Sequence, residues 1–209
     1  MKILEVKELA IPEVKVIKFE RFKDFRGYFT ETMRDSEMVS IVTGQFDNFV
    51  QYNETWSKAG TFRGLHMQWN PYMGKLIRCI SGFLVDFALD IRLGSPTFGK
   101  MIAHSMPNLP NENYSEWIWV PPGFAHGTLL LEDSYCEYLC TGEYNSNCET
   151  GINIFDTNIE WLTDNPSLCG NKVYRPEIRH ITDKDRDAFN LDEWLESPNA
   201  KEFVYEKGC

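Results

Sequence analysis

The sequence predicts an all-β protein built as a sandwich or barrel. Short runs rich in Val, Ile, Phe and Leu recur along the chain, and Gly, Pro and Asn interrupt them at intervals of roughly 8–15 residues. The chain has 209 residues, of which 43% are hydrophobic and 14% aromatic, so it can bury one core. All-β domains commonly use this length as a single unit. We therefore predict one domain spanning residues 1–209.

The individual elements follow from the same pattern. Each predicted strand is bounded by turn residues, such as Gly82 between two apolar runs or the Gly-Ser-Pro corner at 94–96. Beyond Asp156 the chain becomes more polar, and the apolar spacing of residues 183–196 predicts a short helix that packs on the strands. The ten predicted strands are 14–19, 30–33, 48–54, 60–67, 75–81, 83–90, 99–105, 117–120, 127–131 and 136–141.

Composition narrows the functional classes. The chain carries 21 basic and 31 acidic residues, a formal charge of −10, which argues against a nucleic-acid or anionic-membrane partner. No run approaches the ~20 apolar residues of a membrane-spanning helix, and residues 1–5 do not begin a secretory signal, so we expect a cytoplasmic protein. The six cysteines lack paired CxxC spacing and are predicted to be mostly reduced and structural.

The most informative chemistry lies in the segments 63–68 (RGLHMQ) and 74–78 (GKLIR). In a regular strand His66 shares one face with Gln68, whereas Arg63 lies on the other face unless the backbone bulges. Imidazole titrates near neutrality and can remove a carbon-bound proton. On its own, however, such a histidine also fits a hydrogen-bonded core residue.

Five segments in order resemble one known family. They are 24–31 (DFRGYFTE), 63–68, 74–78, 90–99 (DIRLGSPTFG) and 121–127 (PPGFAHG). Together they resemble the dTDP-4-dehydrorhamnose 3,5-epimerases, over about residues 23–156 with a weaker match near 182–185. The resemblance implies a cupin-type jelly roll with a short helical C-terminal tail. It also implies epimerisation next to the ketone of a nucleotide-linked 4-keto-6-deoxyhexose, without a cofactor.

The resemblance implies roles for the catalytic residues. His66 matches the family's base, and Asp185 matches the carboxylate that fixes the tautomer of that histidine, with Asp183 as the alternative. Lys75 matches a lysine near the C4 oxygen of the sugar, where an ammonium group stabilises negative charge.

The resemblance also implies substrate contacts and partners. The substrate is expected to be a dTDP- or CDP-linked sugar, and the protein a homodimer in which N-terminal residues hold the nucleotide across the interface. The implied substrate-binding residues are Arg26, Phe29, Glu31, Gln51, Asn53, Arg63 and His126.

One departure from the family concerns the acid opposite the base, which the family supplies as a tyrosine. Matching residues 137–139 to the family pattern places Cys140 at that position, whereas a shift of two residues places Tyr138 there on the same face. A thiol is shorter than a phenol, so we predict epimerisation at C3 only, with 3,5-epimerisation as the alternative. If both carbons exchange, Tyr138 or Tyr144 is the expected acid.

Two other functional classes agree less well with the sequence. Cupins often bind metals through His-x-His, but here the motif is His66-Met67-Gln68, so we predict no metal site. A catalytically inactive cupin that binds sugar nucleotides is the alternative from another class. The presence of His66, Lys75 and Asp185 argues against it.

Overall fold

The computed structural model describes residues 1–42, 48–162 and 177–205. The strands are β1 Ile3–Glu8, β2 Lys15–Glu20, β3 Phe22–Asp24, β4 Gly27–Phe29, β5 Gln51–Ser57, β6 Phe62–Gln68, β7 Lys75–Ser81, β8 Phe83–Asp90, β9 Lys100–Pro107, β10 Tyr114–Val120, β11 Phe124–Leu130, β12 Ser134–Cys140, β13 Glu149–Gly151 and β14 Glu160–Leu162. The helices are α1 Asp35–Val42, α2 Asp183–Arg186 and α3 Leu191–Glu196, with a 3-10 helix at Pro198–Glu202.

Twelve of these strands form two six-stranded sheets that pack face to face. Sheet I has the order β1-β2-β10-β7-β12-β5, and sheet II has the order β13-β6-β11-β8-β9-β14. Neighbouring strands are antiparallel except for β14, which pairs in parallel with β9. Strands β3 and β4 form a separate hairpin. The predicted jelly-roll sandwich with a short helical C-terminal part is therefore confirmed.

Alternation along the strands divides the apolar side chains into three layers. The layer between the sheets contains Val16 and Ile77 of sheet I and Ala88 of sheet II. The outer face of sheet II packs against the C-terminal segment through Trp194, and the outer face of sheet I packs against α1 through Met38. Because the layer between the sheets is largely apolar, polar side chains that point into it need partners there.

The N-terminal elements correct part of the sequence prediction. No strand forms at 30–33, because the hairpin ends at Phe29 and the following segment is held by side-chain hydrogen bonds. Thr30 donates to the carbonyl of Glu20, and the Trp117 indole donates to the carbonyl of Thr32. Strand β1 and helix α1 were not predicted from the sequence.

The predicted helix over 183–196 is two helices. Phe189 forms a β-bridge with Ile152, which interrupts the helical hydrogen bonds between α2 and α3. Asn190 then caps α3 through a reciprocal pair of hydrogen bonds with Glu193. The short strands β13 and β14 were also missed, since three residues carry little periodic signal.

Strand β6 contains the bulge that decides which side chains point inward. His66 pairs with His126, but Arg63 pairs with Thr128. The two pairs are therefore three residues apart on β6 and only two residues apart on β11, which defines a β-bulge in β6. Gly64 lies at this bulge with φ +121°, and a Cβ there would come within 2.6 Å of the Cα of Gly127. The bulge brings Arg63 to the same face as His66.

No helix within the described ranges combines the length and the apolar character needed to cross a membrane.

Candidate active site

A cavity of about 330 Å³ opens between the two sheets, at the end where β7 and β11 begin and β10 and β12 finish. Both sheets contribute side chains to it, so a ligand there would contact opposite walls. The lining residues are Gln51, Asn53, His66, Met67, Gln68, Met73, Lys75, Val120, Phe124, His126, Tyr138, Cys140, Tyr144 and Glu149.

His66 and Asp185 form a hydrogen-bonded pair at the edge of this cavity. The His66 Nε2 to Asp185 Oδ1 distance is 2.7 Å, and the backbone N–H of Gly64 donates to Asp185 Oδ2 at 3.4 Å. Burial pushes the pKa of Asp185 upward, but these contacts and the Thr182 hydroxyl hold it below its ordinary range. An ionised Asp185 favours the tautomer with hydrogen on Nε2, which leaves Nδ1 as the basic nitrogen.

A second histidine–carboxylate pair lies deeper between the sheets. His126 Nε2 is 2.8 Å from Asp86 Oδ2, and both side chains are buried. Burial lowers the pKa of His126, the charges of Lys75 and His66 lower it further, and Asp86 opposes the shift. We conclude that His126 is held as a neutral imidazole near neutral pH.

Lys75, Cys140 and Tyr138 stand on the wall that sheet I provides. Cys140 is the direct cross-strand neighbour of Lys75, and Tyr138 lies two residues before it on the same face of β12. Burial lowers the pKa of Lys75, against the opposing charges of Cys140, Asp86 and Glu149. Burial raises the pKa of both Tyr138 and Cys140, so the phenol and the thiol remain protonated.

Gln51 and Asn53 line the same wall from the edge strand β5. Gln51 donates to Asn53 Oδ1 at 3.0 Å and accepts from the backbone N–H of Tyr144 at 2.7 Å. Asn53 donates to the sulfur of Cys140 at 3.6 Å. These bonds fix the amides relative to Cys140 and to the loop that carries Tyr144.

Gln68 occupies the position of the second histidine in the His-x-His motif of metal-binding cupins. Its amide nitrogen donates to the carbonyls of Pro71 and Glu143, both at 2.9 Å, and its oxygen accepts from the N–H of Asn145 at 2.8 Å. The side chain therefore ties two loops at the cavity mouth together. In the described parts of the chain, no cluster of three or more His, Cys, Asp or Glu side chains could hold a metal ion.

Arg63 lies beside the cavity without lining it. Its Nε donates to the hydroxyl of Ser57 at 3.1 Å, and its charge acts on Tyr138. The inward direction that the bulge in β6 gives to Arg63 places a cation near the wall formed by Tyr138.

The N-terminal residues predicted to bind the nucleotide do not reach this cavity. Arg26 pairs with Asp24 on the hairpin, and 70% of Phe29 is exposed. Glu31 pairs with Arg34 and with the N-terminal amino group of the chain. The structure thus brings His66, Asp185, Lys75, Tyr138, Cys140, Gln51, Asn53 and His126 together, and leaves these three residues apart.

Asp86 and Glu149 belong to the site but were not predicted from the sequence. The sequence could have indicated Asp86, because it is a carboxylate between the apolar inward residues Leu84 and Ala88 of β8. No sequence pattern indicated Glu149, because its strand was not predicted. It lines the cavity and pairs with Lys184 at 2.6 Å, which links β13 to the helix that carries Asp185.

Comparison with known proteins identifies the family. The family model of dTDP-4-dehydrorhamnose 3,5-epimerase matches residues 8–193. The chain belongs to this family. It is 41% identical over 177 residues to the dTDP-4-dehydrorhamnose 3,5-epimerase of Sinorhizobium fredii, covering 77% of this chain and 88% of that one. It is 40% identical over 174 residues to that of Shigella flexneri, covering 81% and 93%.

A solved structure agrees with this assignment. The crystal structure of dTDP-6-deoxy-D-glucose-3,5-epimerase from Legionella pneumophila, in complex with dTDP-4-keto-L-rhamnose, is 30% identical with a TM-score of 0.79. The match covers 98% of this chain and 99% of that one. These relatives support an epimerase that acts on a nucleotide-linked sugar.

The Asp185 contact leads to a prediction with an internal control. Asp185→Asn should slow solvent deuterium exchange into a 4-keto sugar nucleotide by at least about tenfold, because the amide no longer holds His66 in its basic tautomer. Asp183→Asn should change the rate less than about twofold, since 87% of that side chain is exposed and it pairs with Arg186. NMR can measure both exchange rates. A lower rate in the Asp183 variant than in the Asp185 variant would contradict the role of Asp185.

Proposed function

We propose that this protein inverts both C3 and C5 of a dTDP-linked 4-keto-6-deoxyhexose. The observation that carries the proposal is that His66 on sheet II and Tyr138 on sheet I line one cavity. Epimerisation needs a base on one side of a carbon and an acid on the other side, and two facing sheets supply both positions. The proposal is also supported by relatives named as 3,5-epimerases.

The reaction begins at the base. His66 Nδ1 takes the proton from the carbon next to the ketone, and the electron pair of that C–H bond moves into the enolate. Asp185 stabilises the imidazolium that forms, as its short contact with Nε2 allows. Lys75 lies on the opposite wall and supplies positive charge for the developing oxyanion.

The reaction ends at the acid. The hydroxyl of Tyr138 gives its proton to the carbon from the opposite face, which inverts the centre. Solvent then reprotonates the phenolate and takes the proton from the His66 imidazolium, which restores both side chains. Because burial raises the pKa of Tyr138, its proton is present at neutral pH. Each proton transfer in this scheme has a side chain assigned to it, so we propose that no cofactor takes part.

The roles of Cys140 and Tyr138 decide between single and double epimerisation. The C3-only prediction depended on Cys140 standing in place of the acid. Both side chains line the cavity, and the phenol extends further from the backbone than the thiol does. The relatives are named as 3,5-epimerases, which favours the double epimerase over the C3-only reading. We therefore assign the acid to Tyr138 and leave Cys140 as a wall residue beside Lys75.

Deuterium incorporation tests this assignment. In deuterated water the wild-type protein should label both C3 and C5 of a dTDP-4-keto-6-deoxyhexose. Tyr138→Phe should reduce net inversion by about 10²-fold, the usual contribution of a general acid, whereas the matched variant Cys140→Ser should retain activity within about threefold.

The other outcomes separate the alternatives. Deuterium at C3 alone in the wild-type reaction would support epimerisation at C3 only. Label at neither carbon would favour an inactive binding protein. Equal losses in the two variants would contradict the choice of Tyr138.

We further propose that the nucleotide site is completed across a homodimer. Arg26 and Phe29 stand on a hairpin that belongs to neither main sheet and are exposed, so they are available to a second copy of the chain. The outer face of β5 and β12 presents Tyr52, Trp56 and Tyr135, each at least 45% exposed, which suits a contact between copies. Arg63 near the cavity then shares the diphosphate with the partner's Arg26.

Subunit complementation tests this arrangement. His66→Ala and Arg26→Ala should each be strongly impaired alone. In a mixed dimer, one site would contain His66 from one subunit and Arg26 from the other, so mixing the two variants should restore activity severalfold. A mixture no more active than its components, or a fully active monomer by sedimentation, would contradict a site shared between subunits.

A further inference from the structure

Two cysteines that do not line the active-site cavity face each other across neighbouring strands of sheet I. The register of β7 and β12 pairs Cys79 directly with Cys136, next to a bulge at Tyr135. Opposed residues of an antiparallel pair have Cα atoms about 4.5–5.5 Å apart. Disulfides span Cα separations of about 4.4–6.8 Å. The strand positions therefore fit a bridge without a large movement of the backbone.

The two thiols are free and chemically unequal. A hydrogen bond from Cys136 lowers the pKa of Cys79 against its burial, and the backbone N–H groups of Leu84 and Asn108 lower it further. The same contact raises the pKa of Cys136 strongly, and its burial adds to the shift. Cys79 is partly exposed whereas Cys136 is buried, so Cys79 is the attacking residue and Cys136 the one that resolves the intermediate.

Cys79 is also accessible from solvent. It is partly exposed and lines a small groove together with Arg21 and Asn108, among other residues. Cys136 lies beneath it with 5% exposed. A reagent that reaches Cys79 from this groove does not pass through the cavity of His66.

We propose that Cys79 and Cys136 form a dithiol site that reacts with small disulfides such as glutathione disulfide and closes to a cross-strand disulfide. The Cys79 thiolate attacks one sulfur of glutathione disulfide, which forms a mixed disulfide and releases one glutathione thiolate. Cys136 then loses its proton and attacks the Cys79 sulfur, which releases the second glutathione. The protein loses two hydrogen atoms, and one glutathione disulfide becomes two glutathione molecules.

The other described cysteines lack this arrangement. The ladder neighbours of Cys140 are Gln51 and Lys75, and burial raises its pKa. Cys148 lies on the loop before β13 and has no cysteine opposite it in the described ladders. Cys148→Ser is therefore a suitable matched control.

The test uses the full-length protein, reduced, desalted and incubated with glutathione disulfide, then analysed by intact mass and peptide mapping. Wild type and Cys148→Ser should each lose two hydrogen atoms, mapped to a bond between peptides containing Cys79 and Cys136. Cys136→Ser should instead gain one glutathionyl group on Cys79, trapped because no resolving thiol remains. Cys79→Ser cannot form this bond, and its buried Cys136 should acquire glutathione at least about tenfold more slowly than Cys79 does in Cys136→Ser.

Two results would overturn the proposal. One is wild-type protein that acquires glutathione elsewhere without a bond between these cysteines. The other is a Cys136→Ser variant that gains no glutathionyl group on Cys79. Cys136→Ala replaces this variant if the serine variant does not fold. The readout is a mass, so this result is independent of the proposed epimerase activity.

Discussion

The hydrogen bond between His66 and Asp185 joins parts of the chain that are 119 residues apart. It is possible only because the C-terminal segment packs on the outer face of sheet II and brings α2 to the edge of β6. The N-cap at Thr182 and the Lys184–Glu149 pair hold that helix in place. The basic nitrogen of the proposed reaction thus depends on the packing of a segment that belongs to neither sheet.

The same cavity shows how burial sets the chemistry of its walls. Burial favours the neutral forms of ionisable groups. It lowers the pKa of Lys75 and His126 and raises that of Tyr138 and Cys140. Asp185 is the exception, because hydrogen bonds from His66 and Gly64 stabilise its charge. A protonated phenol and a histidine with an ionised partner are the combination that the proposed proton transfers require.

Much of the fold could be predicted because strands depend on patterns that are local in sequence, whereas most of the cavity residues were predicted from the resemblance to the family. The strands around His66, Lys75 and Cys140 were predicted from apolar runs and turn residues. The inward direction of Arg63 was left open, because a bulge follows from the close approach of Gly64 to Gly127 and not from alternation. Likewise, the interrupted helix depends on a bridge between Phe189 and Ile152, a tertiary contact that no local pattern encodes.

In the proposed reaction the sugar lies between the two sheets with base and acid on opposite sides of its ring. A crystal structure of His66→Asn with a dTDP-4-keto-6-deoxyhexose tests it most directly. The account predicts the ring within the cavity, residue 66 against one face, the hydroxyl of Tyr138 within hydrogen-bond reach of the other, and the keto oxygen near Lys75. A sugar bound outside the cavity, or residue 66 and Tyr138 on the same face of the ring, would contradict it.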